Sequence, residues 1–242
     1  MLTDFMDPVI TKIEAELRAL SDPEIQKTTK RFFKEEIKCH GLTSTTVGAI
    51  AKKYWKEVKG REKQEIFRLC EELFESGFIE EAFIVSSWAH MLSDRFEPED
   101  LPVLRHFIET YITNWAECDG FCNNAMGEFM EKYPDQIHEL KTWALSKNRW
   151  MRRAAAVSLI IPAKHGKFLE DVIEIADLLL TDPDDLVQKG YGWLLKEASR
   201  DHTDRVFAYV MRNKRAMPRT ALRYAIELMP MDLRAEAMKK DW

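Results

Sequence analysis

Helical periodicity constrains the fold of this sequence more than any other feature. Apolar residues recur every three or four positions, as in Ile10, Ile13 and Leu17, and turns marked by proline, glycine or aspartate separate the periodic segments. No segment alternates apolar and polar residues between hairpin turns, as a half-buried strand would. The pattern predicts an all-α chain of about thirteen or fourteen helices.

The predicted helices fit a solenoid of stacked antiparallel pairs. Each pair would leave an apolar face that only a neighbouring pair can cover. With 242 residues, the chain is long enough to form one such domain over residues 1–242. The restart points at Asp22-Pro23, Pro134 and Asp182-Pro183 are unevenly spaced, so a compact helical bundle is the structural alternative.

Helix boundaries follow from the same signals. The helix that starts at Pro23 is expected to run to Gly41, and another helix is expected over residues 148–163. Asp119 is expected to begin a further helix that ends near Tyr133.

Charge is distributed unevenly along the chain. The formal net charge is −5, yet residues 147–223 hold 15 lysines and arginines against 10 acidic residues. A basic stretch inside an acidic protein indicates a local anion-binding face. A solvated helical surface with a chance imbalance is the alternative.

Cysteine spacing and targeting signals indicate a cytoplasmic protein. Cys118 and Cys122 are spaced as C-x3-C without a second pair of metal-ligand spacing, so buried free thiols are expected for all four cysteines. The N-terminus lacks the basic and apolar regions of a signal peptide. No apolar run approaches the ~20 residues that a membrane span needs.

Motifs of the common enzyme classes are missing from the sequence. It contains no glycine-rich phosphate loop, nucleophile elbow or His-Glu-x-x-His zinc helix. The six histidines are scattered, so metal sites and Ser-His or Cys-His catalysis are unsupported. Each histidine is interpreted as a surface or capping residue, and neither a metal nor a cofactor is predicted.

Trp115 and Asp119 are the most informative pair in the chain. They lie four positions apart, about one helical turn, so on a continuous helix both side chains would share a face. No lysine or arginine adjoins Asp119 in sequence. A short acid over an aromatic face is suited to stabilising a cation. The alternative places Trp115 in the core and Asp119 at the N-cap of a helix beginning at Gly120.

Arginines are dense at the start of another predicted helix. Arg149, Arg152 and Arg153 fit one helical face, and both the guanidinium fork and a helix N-terminus suit a phosphate. The following alanines are expected to allow close helix packing and to push the arginines outward. Solvated charge is the alternative.

The third segment of interest places two glycines inside a predicted helix. Gly190 and Gly192 each cost about 1 kcal/mol against alanine, so a close approach at these positions is predicted to repay the cost. The alternative is tight helix packing with Trp193 in the core.

These three segments together resemble the DNA alkylation repair glycosylases of the AlkD family. Asn-Trp-x-x-x-Asp at 114–119, Trp-x-Arg-Arg-Ala-Ala at 150–155 and Gln-Lys-Gly-x-Gly-Trp at 188–193 occur in the family's order and with similar separations. Arg31-Phe32-Phe33 and Gly41-Leu42 also look like the family's opening region.

The resemblance implies HEAT-like helical repeats in a single curved domain with a basic concave face for double-stranded DNA. It implies a monomer that excises cationic alkylated purines such as 3-methyladenine and 7-methylguanine. Asp119 would be the catalytic carboxylate, with Trp115 and Trp193 as an aromatic pair against the deoxyribose. Phe32 replaces a family tyrosine and loses its hydroxyl. The DNA-binding residues would be Arg153, Arg149, Arg152, Lys189 and Phe32.

The chemistry agrees with these residue types. A cationic base is already a good leaving group and needs little general-acid help, which accounts for the missing catalytic histidine. Asp119 would stabilise the oxocarbenium-like sugar, and two indole faces would add cation–π attraction. No lysine lies between Trp115 and Asp119, so a monofunctional hydrolase without lyase activity is predicted. A non-catalytic module that binds DNA structure and a scaffold for protein partners are the rival functions.

Overall fold

α-Helices account for most of the chain in the computed structural model, which describes residues 7–240. No β-strand forms within that range, where the only bridge joins Lys38 to Phe78. The all-α prediction is therefore confirmed. Residues 1–6, on which the signal-peptide prediction depends, lie outside the described part. No helix among the described residues is long and apolar enough to span a membrane.

The chain forms two compact units, which divide between Phe121 and Cys122. The prediction of one domain over residues 1–242 stays a prediction. The described helices of the first unit are α1 (Pro8–Ala19), α2 (Pro23–Lys30), α3 (Ser44–Val58), α4 (Lys63–Glu75), α5 (Ile79–Leu92), α6 (Leu101–Tyr111) and α7 (Trp115–Phe121). The second unit begins with a π-helical turn, Cys122–Met126, followed by α8 (Gly127–Lys132), α9 (Ile137–Ala144), α10 (Arg149–Val157), α11 (Ile160–Lys164), α12 (Leu169–Leu178), α13 (Asp185–Asn213), α14 (Arg219–Ala225) and α15 (Met231–Met238).

Capping residues begin and end several of these helices. The Asp7 and Asp22 carboxylates accept hydrogen bonds from the backbone amides of Val9 at 2.9 Å and Glu24 at 2.8 Å. A proline follows each of these aspartates at the first helical position. Gly77 follows the C-cap of α4 and adopts the left-handed conformation, with φ +70°, that commonly ends a helix.

Two predicted helices are wrong. α2 ends at Lys30 instead of continuing to Gly41. The next three amides donate to carbonyls three residues back, as in a tightening last turn, and the amides of His40 and Gly41 bind the Glu80 side chain of α5. The helix predicted over residues 148–163 breaks after Val157, and α11 begins at Ile160. Pro162 explains the break, since a proline has no N–H to donate to the preceding turn.

Helix α5 organises the first unit, because it packs against α3, α4 and α7. Trp88 on α5 is fully buried, and its indole N–H donates to the Ala51 carbonyl of α3 at 2.9 Å. Helices two places apart in the chain therefore pack together, which is the layering that stacked helix pairs produce.

Helix α13 has the same role in the second unit, where it packs against α10, α11, α12 and α14. Tyr191 on α13 is buried, and its hydroxyl donates to the Leu180 carbonyl at 2.8 Å. His202 has non-helical backbone angles inside α13, with φ −129° and ψ 41°. This kink divides α13 into two helical parts.

Candidate functional site

Asn114 begins the helix that carries the predicted catalytic pair. Its buried side-chain oxygen accepts hydrogen bonds from the amides of Ala116 and Glu117, each at 3.1 Å. Asn114 is thus the N-cap of α7, and Trp115 is the first helical residue. The prediction that Asp119 begins a helix is wrong. Asp119 lies inside α7, one turn after Trp115, so both side chains project from one face.

Helix α7 is fixed by its buried face. Glu117 is buried, and its carboxylate accepts from the Thr113 amide at 2.8 Å and the Thr113 hydroxyl at 3.1 Å. Burial raises the pKa of Glu117 above its usual value, although these donors oppose the shift. A methyl group at Gly120 would lie 3.4 Å from the Ser86 hydroxyl of α5, so this glycine keeps α7 close to α5. The buried face of α7 therefore fixes the helical turn that carries Trp115 and Asp119.

Phe33 extends the aromatic surface beside Asp119. Its ring stacks on Trp115 with 5.4 Å between ring centroids and 19° between ring planes. Both rings are half-buried, whereas the side chain of Phe32 is 71% exposed. The sequence nominates Phe32, but Phe33 is the residue that contacts Trp115. The sequence does not indicate this contact, because its pattern predicts a helix through residues 31–41. Which of the two adjacent phenylalanines contacts Trp115 depends on the backbone conformation after Lys30.

The arginines at the start of α10 are held by acidic residues that lie just before or at the start of α13. Nε of Arg149 is 2.8 Å from a carboxylate oxygen of Asp184, and Nε of Arg152 is 2.6 Å from one of Asp182. Lys189 pairs with Asp185 at 3.2 Å. Much of the positive charge predicted for this region is therefore compensated within the second unit.

Arg153 lies beneath this surface, with only 5% of the residue exposed. Its guanidinium donates to the Leu186 carbonyl. An added methyl group at Gly190 would be 3.5 Å from the Arg153 side chain. The expectation that the alanines push all three arginines outward is wrong for Arg153, because the missing side chain at Gly190 leaves room for it against α13.

Both interior glycines of α13 lie at helix contacts, which is the tight helix packing that the alternative interpretation gave. At Gly192 an added methyl group would come within 2.8 Å of the Ala221 carbonyl oxygen and of the Tyr224 Cβ on α14. Trp193 is half-buried, and its indole N–H donates to the Glu197 carboxylate at 3.3 Å. The alternative that placed Trp193 in the core is wrong, since part of its ring faces solvent.

No group of three or more histidine, cysteine, aspartate or glutamate side chains in residues 7–240 could hold a metal ion. The four cysteines are buried free thiols, as predicted. His40 is an exception to the surface interpretation of the histidines, because it is only 5% exposed.

The chain is similar to known proteins in sequence and in structure. The model of the DNA alkylation repair enzyme family matches residues 13–229. No curated protein matches the chain. A predicted DNA alkylation repair enzyme from Enterococcus faecalis has a similar structure, with a TM-score of 0.79 and 16% identity, and the match covers 87% of this chain and 97% of that one.

Two further solved structures share the fold. AlkD2 from Streptococcus mutans matches with a TM-score of 0.60 and 21% identity over 85% of this chain and 97% of its own. The alkylpurine DNA glycosylase AlkC from Pseudomonas fluorescens, bound to DNA containing an abasic site analogue, matches with a TM-score of 0.54 and 14% identity over 90% and 61%. The fold is thus shared with AlkD-like proteins, and the family match extends over most of the sequence. The chain belongs to the DNA alkylation repair enzyme family.

Proposed function

We propose that this protein is a DNA N-glycosylase that hydrolyses the glycosidic bond of cationic alkylated purines, with 3-methyladenine and 7-methylguanine as substrates. The observation that carries the proposal is the shared face of Trp115 and Asp119 on α7, with Phe33 stacked on Trp115. An aromatic surface beside a carboxylate suits a positively charged sugar. Membership of the DNA alkylation repair enzyme family supports the same chemistry.

The reaction needs electrostatic help more than acid catalysis. The bond between C1′ and the base nitrogen breaks with its electron pair moving onto the purine, which neutralises the positive charge of the base. The sugar becomes oxocarbenium-like, and the Asp119 carboxylate stabilises it. Water then bonds to C1′, and the proton it releases passes to Asp119. No lysine lies between Trp115 and Asp119, so the proposed activity is monofunctional, without a Schiff-base lyase step.

Duplex DNA is the proposed partner of a monomeric, cytoplasmic enzyme. In this proposal Phe32 contacts DNA through its exposed ring, and Trp193 adds a half-buried aromatic contact. Arg153, which is 5% exposed, contributes a phosphate contact that also orients the backbone, and its guanidinium leaves the Leu186 carbonyl to make this contact. The remaining phosphate contacts come from Arg149, Arg152 and Lys189, which exchange part of their carboxylate pairing for phosphate.

Release of free base from methylated duplex DNA by the purified protein is the direct test. We expect 7-methylguanine in the soluble fraction and intact strands until the abasic sites are cleaved by alkali. A mobility shift with unmodified duplex at about 50 and 200 mM salt should show affinity falling steeply with salt, because phosphate contacts release counterions.

The rival functions give different results in these two experiments. Normal DNA binding without base release would favour a module that recognises DNA structure without excision. No salt-dependent DNA binding would favour a helical scaffold for protein partners.

A further inference from the structure

The segment that carries Phe33 has no regular structure of its own. Residues 31–43 join α2 to α3 without a helix, so they lack the repeating backbone hydrogen bonds that would fix their course. We call residues 31–43 the Phe33 segment. The position of the Phe33 ring on Trp115 therefore depends on what this segment binds elsewhere in the first unit.

Glu80 on α5 provides the main anchor of the Phe33 segment. One carboxylate oxygen accepts from the His40 amide at 2.9 Å, and the other accepts from the amides of Gly41 at 2.8 Å and Leu42 at 3.2 Å. Glu80 is 2% exposed, and no lysine or arginine among the described residues pairs with it. Three amide dipoles thus stabilise a buried carboxylate and fix both its distance and its direction from the segment.

Neighbouring residues on α5 reinforce this anchor. The Glu81 carboxylate lies 3.1 Å from Nε2 of His40, and the His40 ring stacks on Phe78 at 4.1 Å. The Ile79 amide donates to the Lys38 carbonyl at 3.0 Å. The start of α5 therefore binds the Phe33 segment through backbone and side chain together.

The anchor connects to the aromatic pair through a small apolar cluster. Ile37 and Cys39, on the Phe33 segment, pack with Ile79 of α5, and Phe33 and Ala116 pack against this cluster. Ala116 is the neighbour of Trp115 on α7. The same helix, α5, thus supports both partners of the Phe33–Trp115 stack.

We propose that Glu80 is a positioning residue for the proposed reaction. By binding the amides of residues 40–42, it holds Phe33 on Trp115 and so sets the orientation of the indole beside Asp119. The consequence for excision rests on the proposed glycosylase function, whereas the effect on the Trp115 ring does not.

A spectroscopic test isolates that effect. The seven tryptophans are replaced by 5-fluorotryptophan in the whole protein, and Trp115→Phe assigns the Trp115 resonance in the ¹⁹F NMR spectrum. Phe33→Ala gives the position of this resonance without the stack. Glu80→Gln keeps size but presents an amide N–H toward backbone N–H groups, so we expect the Trp115 resonance to move toward the Phe33→Ala position.

Asp100→Asn is the matched control. Asp100 is also a buried carboxylate of the first unit, and it accepts from the Glu97 amide at 2.8 Å and pairs with Lys63. Within residues 7–240 it makes no hydrogen bond or ion pair with the Phe33 segment. Its replacement should leave the Trp115 resonance in place, even where it lowers the melting temperature as much as Glu80→Gln does.

Single-turnover excision provides the second readout. Glu80→Gln should lower the rate of the chemical step about tenfold while DNA affinity stays near wild type, because misplaced groups act mainly on the reacting geometry. The double variant Glu80→Gln/Phe33→Ala should be no slower than Phe33→Ala alone, since Glu80 acts through Phe33. Independent, multiplicative losses would overturn the proposal.

The two hypotheses fail in different ways. An unchanged Trp115 resonance in folded Glu80→Gln protein overturns the positioning role whatever the excision rate. A moved resonance in a protein whose wild type releases no base supports the positioning role and rejects the glycosylase. Should Glu80→Gln not fold, Glu80→Asp, which keeps the charge and shortens the reach, takes its place with the same expected shift.

Discussion

The two regions predicted to be functional differ in whether neighbouring or distant residues determine their structure. Trp115 and Asp119 lie on one turn of α7, where helix geometry alone brings them to a common face. Arg149 and Arg152 meet acidic partners 35 and 30 positions further along the chain. The relative placement of two residues one helical turn apart can therefore be predicted from sequence, because the helix sets it. The net charge of a basic motif cannot be predicted in this way, because distant acidic residues can compensate it.

Replacing Asp119 tests the local region and should have the largest effect. Asp119→Asn keeps shape but removes the charge, so excision of 7-methylguanine should fall by about 10²-fold or more, as when other electrostatic stabilisers are removed. DNA affinity should hold or rise slightly. Stability should change little, because Asp and Asn have similar propensities inside a helix.

The exposed Asp204 on α13 supplies the control for this prediction. Asp204→Asn removes the same charge from another helix and should keep the wild-type excision rate. Wild-type excision by a folded Asp119→Asn protein would remove Asp119 from the mechanism.

Close packing in the second unit predicts the next effect. Gly192→Ala places a methyl group 2.8 Å from atoms of α14, and such overpacking costs about 1–3 kcal/mol. Gly48 in α3 has nothing within 4 Å of an added methyl group, so Gly48→Ala should stabilise the protein by about 0.5–1 kcal/mol. Chemical denaturation of both variants measures the contrast, and equal free energies of unfolding would contradict it.

Arg153 sharpens the comparison because it is the buried member of the arginine group. Arg153→Ala should lower DNA affinity about tenfold on all sequences alike, as expected for a phosphate contact. It should also destabilise the fold by about 1–3 kcal/mol, because the Leu186 carbonyl loses its donor. Arg105→Ala on α6, an exposed arginine paired with Glu109 at 3.5 Å, controls for loss of surface charge.

Fluorescence anisotropy with several duplex sequences, at a temperature where the variants are folded, measures the affinities. Unchanged affinity of Arg153→Ala at physiological salt would refute the phosphate contact and leave Arg153 a packing residue.

Removing the carboxylates that compensate Arg149 and Arg152 should have the smallest effect, and it should raise DNA affinity instead of lowering it. Asp182→Asn/Asp184→Asn releases Arg152 and Arg149 while Asn keeps the cap of α13. DNA affinity should rise about two- to fivefold, with a steeper salt dependence. Asp171→Asn, which removes one of the two carboxylates paired with Lys141 on α9, should change affinity less. A fall in affinity would mean that the carboxylates orient the arginines for DNA.

Much of the fold could be predicted from the sequence because helix signals are local. Asp22-Pro23 and Gly77 act within one turn of the backbone, and the apolar periodicity reports the buried face. The Phe33 segment could not be predicted in this way. Its amides at residues 40–42 bind Glu80, about 40 positions away in the chain, and no pattern around Phe33 reveals that contact.

The features of the candidate site also differ in whether local spacing or tertiary packing determines them. Asp119, Trp115 and the close contacts at Gly190 and Gly192 follow from spacing on single helices. The stacking of Phe33 rather than Phe32 on Trp115, and the carboxylate partners of the arginines, depend on tertiary packing that spacing does not encode.

The burial of every described thiol matters for a protein of this family. Cells that accumulate alkylated DNA contain electrophiles that also attack proteins, and the thiolate is the most nucleophilic side chain they meet. Cys39, Cys70, Cys118 and Cys122 are all withdrawn from solvent. Burial raises the pKa of the Cys39 and Cys70 thiols, which lowers the fraction present as thiolate. Burial therefore leaves these four thiols poorly accessible to such electrophiles.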